Sequence, residues 1–152
     1  MFTERAFSIA GSVSMLGWLL LVASLVAPLP WRTRLRLAGG RVVPALLAAG
    51  YVAALMAWWS QAPTEAGFGS LAAVAALFSV PGLLLAGWIH YLAFDLLVGR
   101  WQVDDSGAHG LAGWWLLPCL LLTFLFGPAG WLLYLLVRSV RAAGRRRLGD
   151  PK

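Results

Sequence analysis

Apolar residues in this chain fall into four runs, at about 6–27, 42–60, 82–99 and 113–137. Short stretches bearing Pro, Gly, Arg or Asp separate them. A bilayer crossing takes roughly 20 apolar residues at about 1.5 Å each. The pattern therefore predicts an all-α integral membrane protein, a single bundle of four transmembrane helices. The stretch 68–82 is apolar too, and joined to the third run it would be too long for one crossing. Pro81 has no amide hydrogen and Gly82 loosens the backbone, so a break or kink is expected there. A short interfacial helix over 70–79 should precede it. Residues 61–69 hold Pro63, Gly67 and Gly69 and should be irregular.

Composition strengthens this reading. Hydrophobic residues make up 61% of the 152 and charged residues only 12%, against about 25% charged in a soluble domain. The first run is longer than a signal-peptide core and arginines follow it at once, so it reads as a retained helix. The net charge of +6 is clustered in Arg32, Arg34, Arg36 and Arg41, and again in Arg138, Arg141, Arg145, Arg146 and Arg147. Such clusters beside membrane helices set orientation or touch anionic headgroups, so the expected partner is the lipid bilayer and not nucleic acid. Four spans would leave seven basic residues on one side and five on the other, which does not decide the orientation. Trp31, Trp58, Trp59, Trp101, Trp114 and Trp115 lie near the proposed span ends, whereas Trp18, Trp88 and Trp131 lie inside. Cys119 stands alone, so neither an internal disulfide nor a zinc-type pair can form. Residues 104–110, with Asp104, Asp105 and His109, read as a solvated turn rather than a metal site. No catalytic triad order, phosphate loop or dinucleotide fingerprint is present. No metal or certain cofactor is expected.

The third run carries the chemistry. Within "WIHYLAFDLLVGRW", His90, Asp95 and Arg100 stand five apart. Five helical positions rotate about 500°, so the three do not share a face. Ala86, Gly87, Ala93 and Phe94 lie on the His90 side, and small residues allow close helix approach. His90 is thus expected in a helix–helix contact and away from lipid. Asp95 shares a stripe with Trp88 and Tyr91, and the Tyr91 hydroxyl can reach it across one turn. Arg100 should sit at headgroup level. Ionisable groups inside a span are functional candidates. The residues alone leave several readings open: an interhelical hydrogen bond, proton transfer, recognition of a polar group, or His90 as an axial ligand to haem or chlorophyll. In the last run, Gly127, Pro128 and Gly130 predict a kink, or a groove for a flat ligand.

"WIHYLAFDLLVGRW" followed by "LPCLLLTFLFGPAGWLLYLLVR" resembles the neoxanthin-synthase-like, or abscisic-acid-deficient-four-like, family over about residues 68–138. The resemblance implies carotenoid chemistry, because plant members are needed to convert violaxanthin to neoxanthin. In that isomerisation an epoxide opens and an allene forms. The implied motif residues are Trp88, Ile89, His90, Asp95 and Arg100, with Gly127 and Pro128 in the last run. On this reading His90 and Asp95 act as base and acid at the polar end ring. Trp88, Tyr91, Phe94, Arg100, Phe124, Phe126, Gly127, Pro128 and Trp131 hold the pigment, with Trp18 beside them. Two alternatives stand next to a carotenoid isomerase: a non-enzymatic small subunit of a larger pigment or photosynthetic complex, and a haem- or chlorophyll-binding protein. No serine-rich transit segment precedes the first span. The expected location is a bacterial inner membrane, multi-pass.

Overall fold

The structure, a computed structural model, describes residues 2–111 and 113–147, and every regular element among them is helical. Helix α1 spans Phe2–Val26. Helix α2 (Leu29–Leu37), a π-helical turn (Ala38–Val42) and α3 (Val43–Trp58) follow one another without a gap and close in a 3-10 turn, Trp59–Gln61. Then come α4 (Leu71–Phe78), α5 (Pro81–Ala108), α6 (Gly113–Phe126) and α7 (Pro128–Arg147). Three helical stretches are long and apolar enough to cross a membrane: Phe2–Val26, Leu29–Gln61 and Pro81–Ala108. The chain is a multi-pass membrane protein.

The break before α5 is where Pro81 put it. Ser70 caps α4 by accepting a hydrogen bond from the Ala73 amide at 3.1 Å. Val80 is extended (φ −84°, ψ 116°), as a residue before proline prefers, and Pro81 opens α5 at a position that needs no donor. Residues 62–69 form turns and bends.

Two boundaries differ from the sequence expectation. The arginine-rich connector before the second span is itself helical. Pro28 and Pro30 sit at the start of α2, where a missing amide hydrogen costs nothing. The π turn then precedes Pro44, and the Val43 amide bonds to Ala38 O five residues back. The third span does not stop near Gly99 but continues to Ala108, because Gln102, Val103 and Ser106 are buried against neighbouring helices.

The fourth span is the main correction. Residues 113–137 are not one crossing helix. Gly127 takes φ +45°, which only glycine adopts freely, and ends α6. The Arg141 guanidinium lies 4.8 Å over the Trp115 ring, so α7 runs back along α6. A Cβ on Gly130 would fall on the Thr123 backbone, which shows how closely the two helices approach. They form an antiparallel hairpin. Its tip, Gly127, meets Asp95 about midway along α5. Both arms return to the end where Arg138 meets Asp105. The hairpin therefore covers only the second half of α5.

Helix α5 forms the centre. Leu83, Ala86, Ile89, Ala93, Leu96 and Val103 are buried, and α5 packs on α1 and α3. A Cβ on Gly99 would meet the Trp18 ring at 2.6 Å, and one on Gly17 would meet Leu96 and Val43 at 2.9 Å, so both glycines admit a neighbour. At one end Phe2 meets Trp58 and Phe7 meets Trp88. At the other, Arg100 bonds to the Arg36 carbonyl at 2.7 Å. Because the hairpin turns back, Arg138 and Arg141 join Arg32, Arg34, Arg36 and Arg100 at that second end, and Arg5 is left at the first. Basic residues concentrate on the cytoplasmic side of membrane proteins, so the arginine end is expected to face the cytoplasm. In a Cys119→Ala background, cysteines at Thr33 and Ser139 should be labelled by an impermeant maleimide from the same face of sealed vesicles, and a cysteine at Thr64 from the other. Opposite labelling of positions 33 and 139 would restore a four-span bundle.

Candidate functional site

The hairpin tip creates a site that a straight fourth helix would not. Asp95 is 7% exposed. Its Oδ1 lies 2.5 Å from where a Gly127 Cβ would stand, so the tip must be glycine for space as well as for φ. Its Oδ2 is shielded and has no hydrogen-bond partner among the described residues. Tyr91, one turn earlier on the same face, donates its hydroxyl to the Leu125 carbonyl at 3.1 Å and lies within reach of the carboxyl. That carbonyl accepts because it lies in the last turn of α6, where main-chain acceptors lack helical partners. Cations are engaged elsewhere. The Arg100 Nε donates to Asp104 at 2.5 Å, and Arg138 Nη1 donates to Asp105 at 3.0 Å.

Beyond the tip, the first half of α5 is uncovered on this side. Trp88 stacks on Tyr91 at 5.4 Å and meets Phe7 of α1 at the same distance. Farther out, Thr3, Glu4, Phe7, Pro81, Leu84, Leu85 and Trp88 line a cleft of about 370 Å³. From Pro81 to Asp95 the strip is about 21 Å long at 1.5 Å per residue. On α5 an apolar, aromatic stripe runs from this cleft through Trp88 and Tyr91 to the Asp95 carboxyl.

Of the residues singled out from sequence, the structure brings together Trp88, Tyr91, Asp95, Gly127 and the start of α7 at Pro128. It does not bring His90 to them. His90 is exposed on the opposite flank of α5, stacked on Phe94 at 4.5 Å and edge-on to Tyr51 at 5.4 Å. The expected contact with another helix is present through Tyr51 of α3, but the ring is exposed rather than enclosed by it. Ala86 and Ala93 do form the close seam with neighbouring helices, but His90 is rotated off that seam onto its outer rim. Phe94 and Arg100 also lie away from Asp95. Phe124 packs inward against Trp18 at 5.7 Å, whereas Phe126 and Trp131 are exposed on the hairpin surface.

Sequence reasoning missed the fastening of the hairpin. Asp104 and Asp105 are not in a solvated turn but in the last turns of α5. The Asp105 carboxylate accepts from the Tyr134 hydroxyl at 2.5 Å and from Arg138. Tyr134 is fully buried. Higher up, Gln102 Nε2 donates to Thr123 Oγ1 at 2.9 Å. The available signal was Tyr134 and Arg138 at i,i+4, the first inside the apolar run and the second at its end. Arg138→Leu should destabilise the protein by about 2 kcal/mol, less than for a fully buried pair because Arg138 is partly exposed. Adding Asp105→Asn should recover part of that loss. Additive single effects in thermal unfolding would refute the pairing.

A family model described as ABA DEFICIENT 4-like matches residues 5–134. The chain belongs to that family. Searches of curated proteins and of solved structures gave no match. The matched region of this ABA DEFICIENT 4-like chain takes in Phe7, Trp88, Tyr91, Asp95, the hairpin tip and Tyr134; of the residues lining the cleft only Thr3 and Glu4 precede it.

Proposed function

We propose that this protein is a membrane-embedded isomerase that opens the end-ring epoxide of a xanthophyll. The observation that carries the reading is Asp95: a buried carboxyl with no cation partner among the described residues, beside the Tyr91 hydroxyl, at the inner end of an apolar aromatic stripe. A structural aspartate in a membrane would be paired with an arginine, and both nearby arginines pair with other carboxylates. Family membership supports a link to carotenoid chemistry.

The geometry supports a self-balancing proton transfer. The pigment's polyene lies along Phe7, Leu84 and Trp88, and its end ring reaches the tip. The Asp95 carboxylate takes a proton from the vinylic carbon beside the ring. The electron pair of that C–H bond forms the new double bond of the allene, and the adjacent epoxide C–O bond breaks. The epoxide oxygen takes the Tyr91 hydroxyl proton. Asp95 then returns its proton to Tyr91. Product and substrate have the same composition, and no redox partner is needed. Asp95 and Tyr91 are the catalytic pair, in place of Asp95 with His90.

The test uses purified protein in vesicles that contain an epoxy-xanthophyll such as violaxanthin. Chromatography should reveal a new allenic isomer of unchanged mass. No isomer under these conditions overturns the enzymatic reading. A second reading, a small subunit of a larger membrane assembly, draws on the exposed His90, a polar group on a lipid-facing flank. It predicts that the protein leaves the membrane with other subunits and that His90→Leu breaks the association.

A further inference from the structure

We propose that α2 and the second half of α5 form a binding site for the phosphate of an anionic lipid headgroup. Arg32 and Arg36 lie one turn apart on α2, and both are partly buried. Arg100 reaches them from α5 because Gly40 in the π turn has no side chain; a Cβ there would meet the Arg100 stem at 2.6 Å. Arg100 is held in place by the Arg36 carbonyl and by Asp104.

Three guanidinium groups thus converge, and Arg36 lies close enough to Arg32 and Arg100 to be repelled by both. A single carboxylate faces them. Asp104 is 2.5 Å from Arg100 and 3.6 Å from Arg36. Arg32 spends one nitrogen on the Ala27 carbonyl at 3.3 Å. The Nε atoms of Arg32 and Arg36 are shielded from solvent and have no acceptor among the described residues. The corner therefore holds excess positive charge and unused donors. Phosphate oxygens, which arginine binds in a fork, satisfy both.

The surroundings favour a lipid as the source of that phosphate. Leu29, Trp31 and Leu37 are exposed beside the arginines and can cover acyl chains. Arg34 leaves the cluster and lies over the Trp31 ring at 5.5 Å, which is interfacial behaviour. The corner lies at the basic end of the bundle, where anionic lipid is attracted.

The experiment measures thermal unfolding of the purified full chain in detergent micelles doped with phosphatidylglycerol, with phosphatidylcholine, or with inorganic phosphate alone. Phosphatidylglycerol should raise the unfolding temperature, and the other two should not. Arg32→Gln should weaken the apparent affinity for phosphatidylglycerol about tenfold, the effect of losing one charge-assisted contact. Arg34→Gln, which leaves the corner intact, should retain it. Equal response of the two variants, or of phosphatidylglycerol and phosphatidylcholine, overturns the site. An equal rise with inorganic phosphate overturns its assignment to a lipid.

Discussion

Asp95→Asn is expected to lower the rate of epoxide opening about 10²–10⁴-fold, with the protein present at its normal level. Asparagine keeps the shape of the side chain and removes its ability to take a proton from carbon. The structure gives the substitution little else to disturb. Asp95 has no arginine partner, and its Oδ2 makes no hydrogen bond that an amide would break. Tyr91→Phe should show a comparable loss, since it removes the phenolic proton beside the carboxyl and leaves the ring stacked on Trp88. His90→Leu should leave the rate unchanged, because His90 faces the other flank. Pigment analysis of vesicles containing each variant separates these outcomes. Full activity in Asp95→Asn would make Asp95 a packing residue and remove the basis of the mechanism.

Gly130→Ala is expected to cost about 3 kcal/mol, at the upper end for an overpacked contact. A methyl there would lie 2.5 Å from the Thr123 Cα, and backbone cannot rotate aside as a side chain can. The arms would have to separate. Thr123 would then move from Gln102, and Gly127 from Asp95. The change should therefore lower both unfolding temperature and activity. Gly50→Ala is the control, since nothing lies within 4 Å of its added methyl. It should be neutral or slightly stabilising, as alanine is the better helix former. Indistinguishable unfolding of the two variants would show that the hairpin is not closely packed at Gly130.

Much of the architecture was written in the apolar runs. The first and third spans and the break at Pro81 follow from length, hydrophobicity and the lost amide hydrogen. The hairpin did not follow. Gly127 and Pro128 in a continuous apolar run serve a kink and a full reversal equally well. The choice depends on the positive φ of Gly127, the clearance at Gly130 and the side-chain bonds of Thr123 and Tyr134. Once the run was read as one crossing, the arginine clusters separated onto two sides and the orientation was lost. At the site, the stripe of Trp88, Tyr91 and Asp95 was legible from helical spacing. Its partner, the Leu125 carbonyl, was not, because a main-chain acceptor is freed only where a helix ends. His90 was misplaced because small neighbours locate a seam but not which side chains point into it, and one helical step turns about 100°.

The π turn at Ala38–Val42 has a meaning for how the basic face is set against the core. A π turn holds one residue more than the α-helix it interrupts. Loss of that residue would restore an unbroken helix and swing everything before it by about 100°. Arg32 and Arg36 would then leave α5, while Val43, Leu47 and Ala54 kept their places in the core. Gly39 lies against Gly17 and Leu20 of α1, so α1 would be carried round with the arginines, and the extra residue is what lets the basic face and the core be set together.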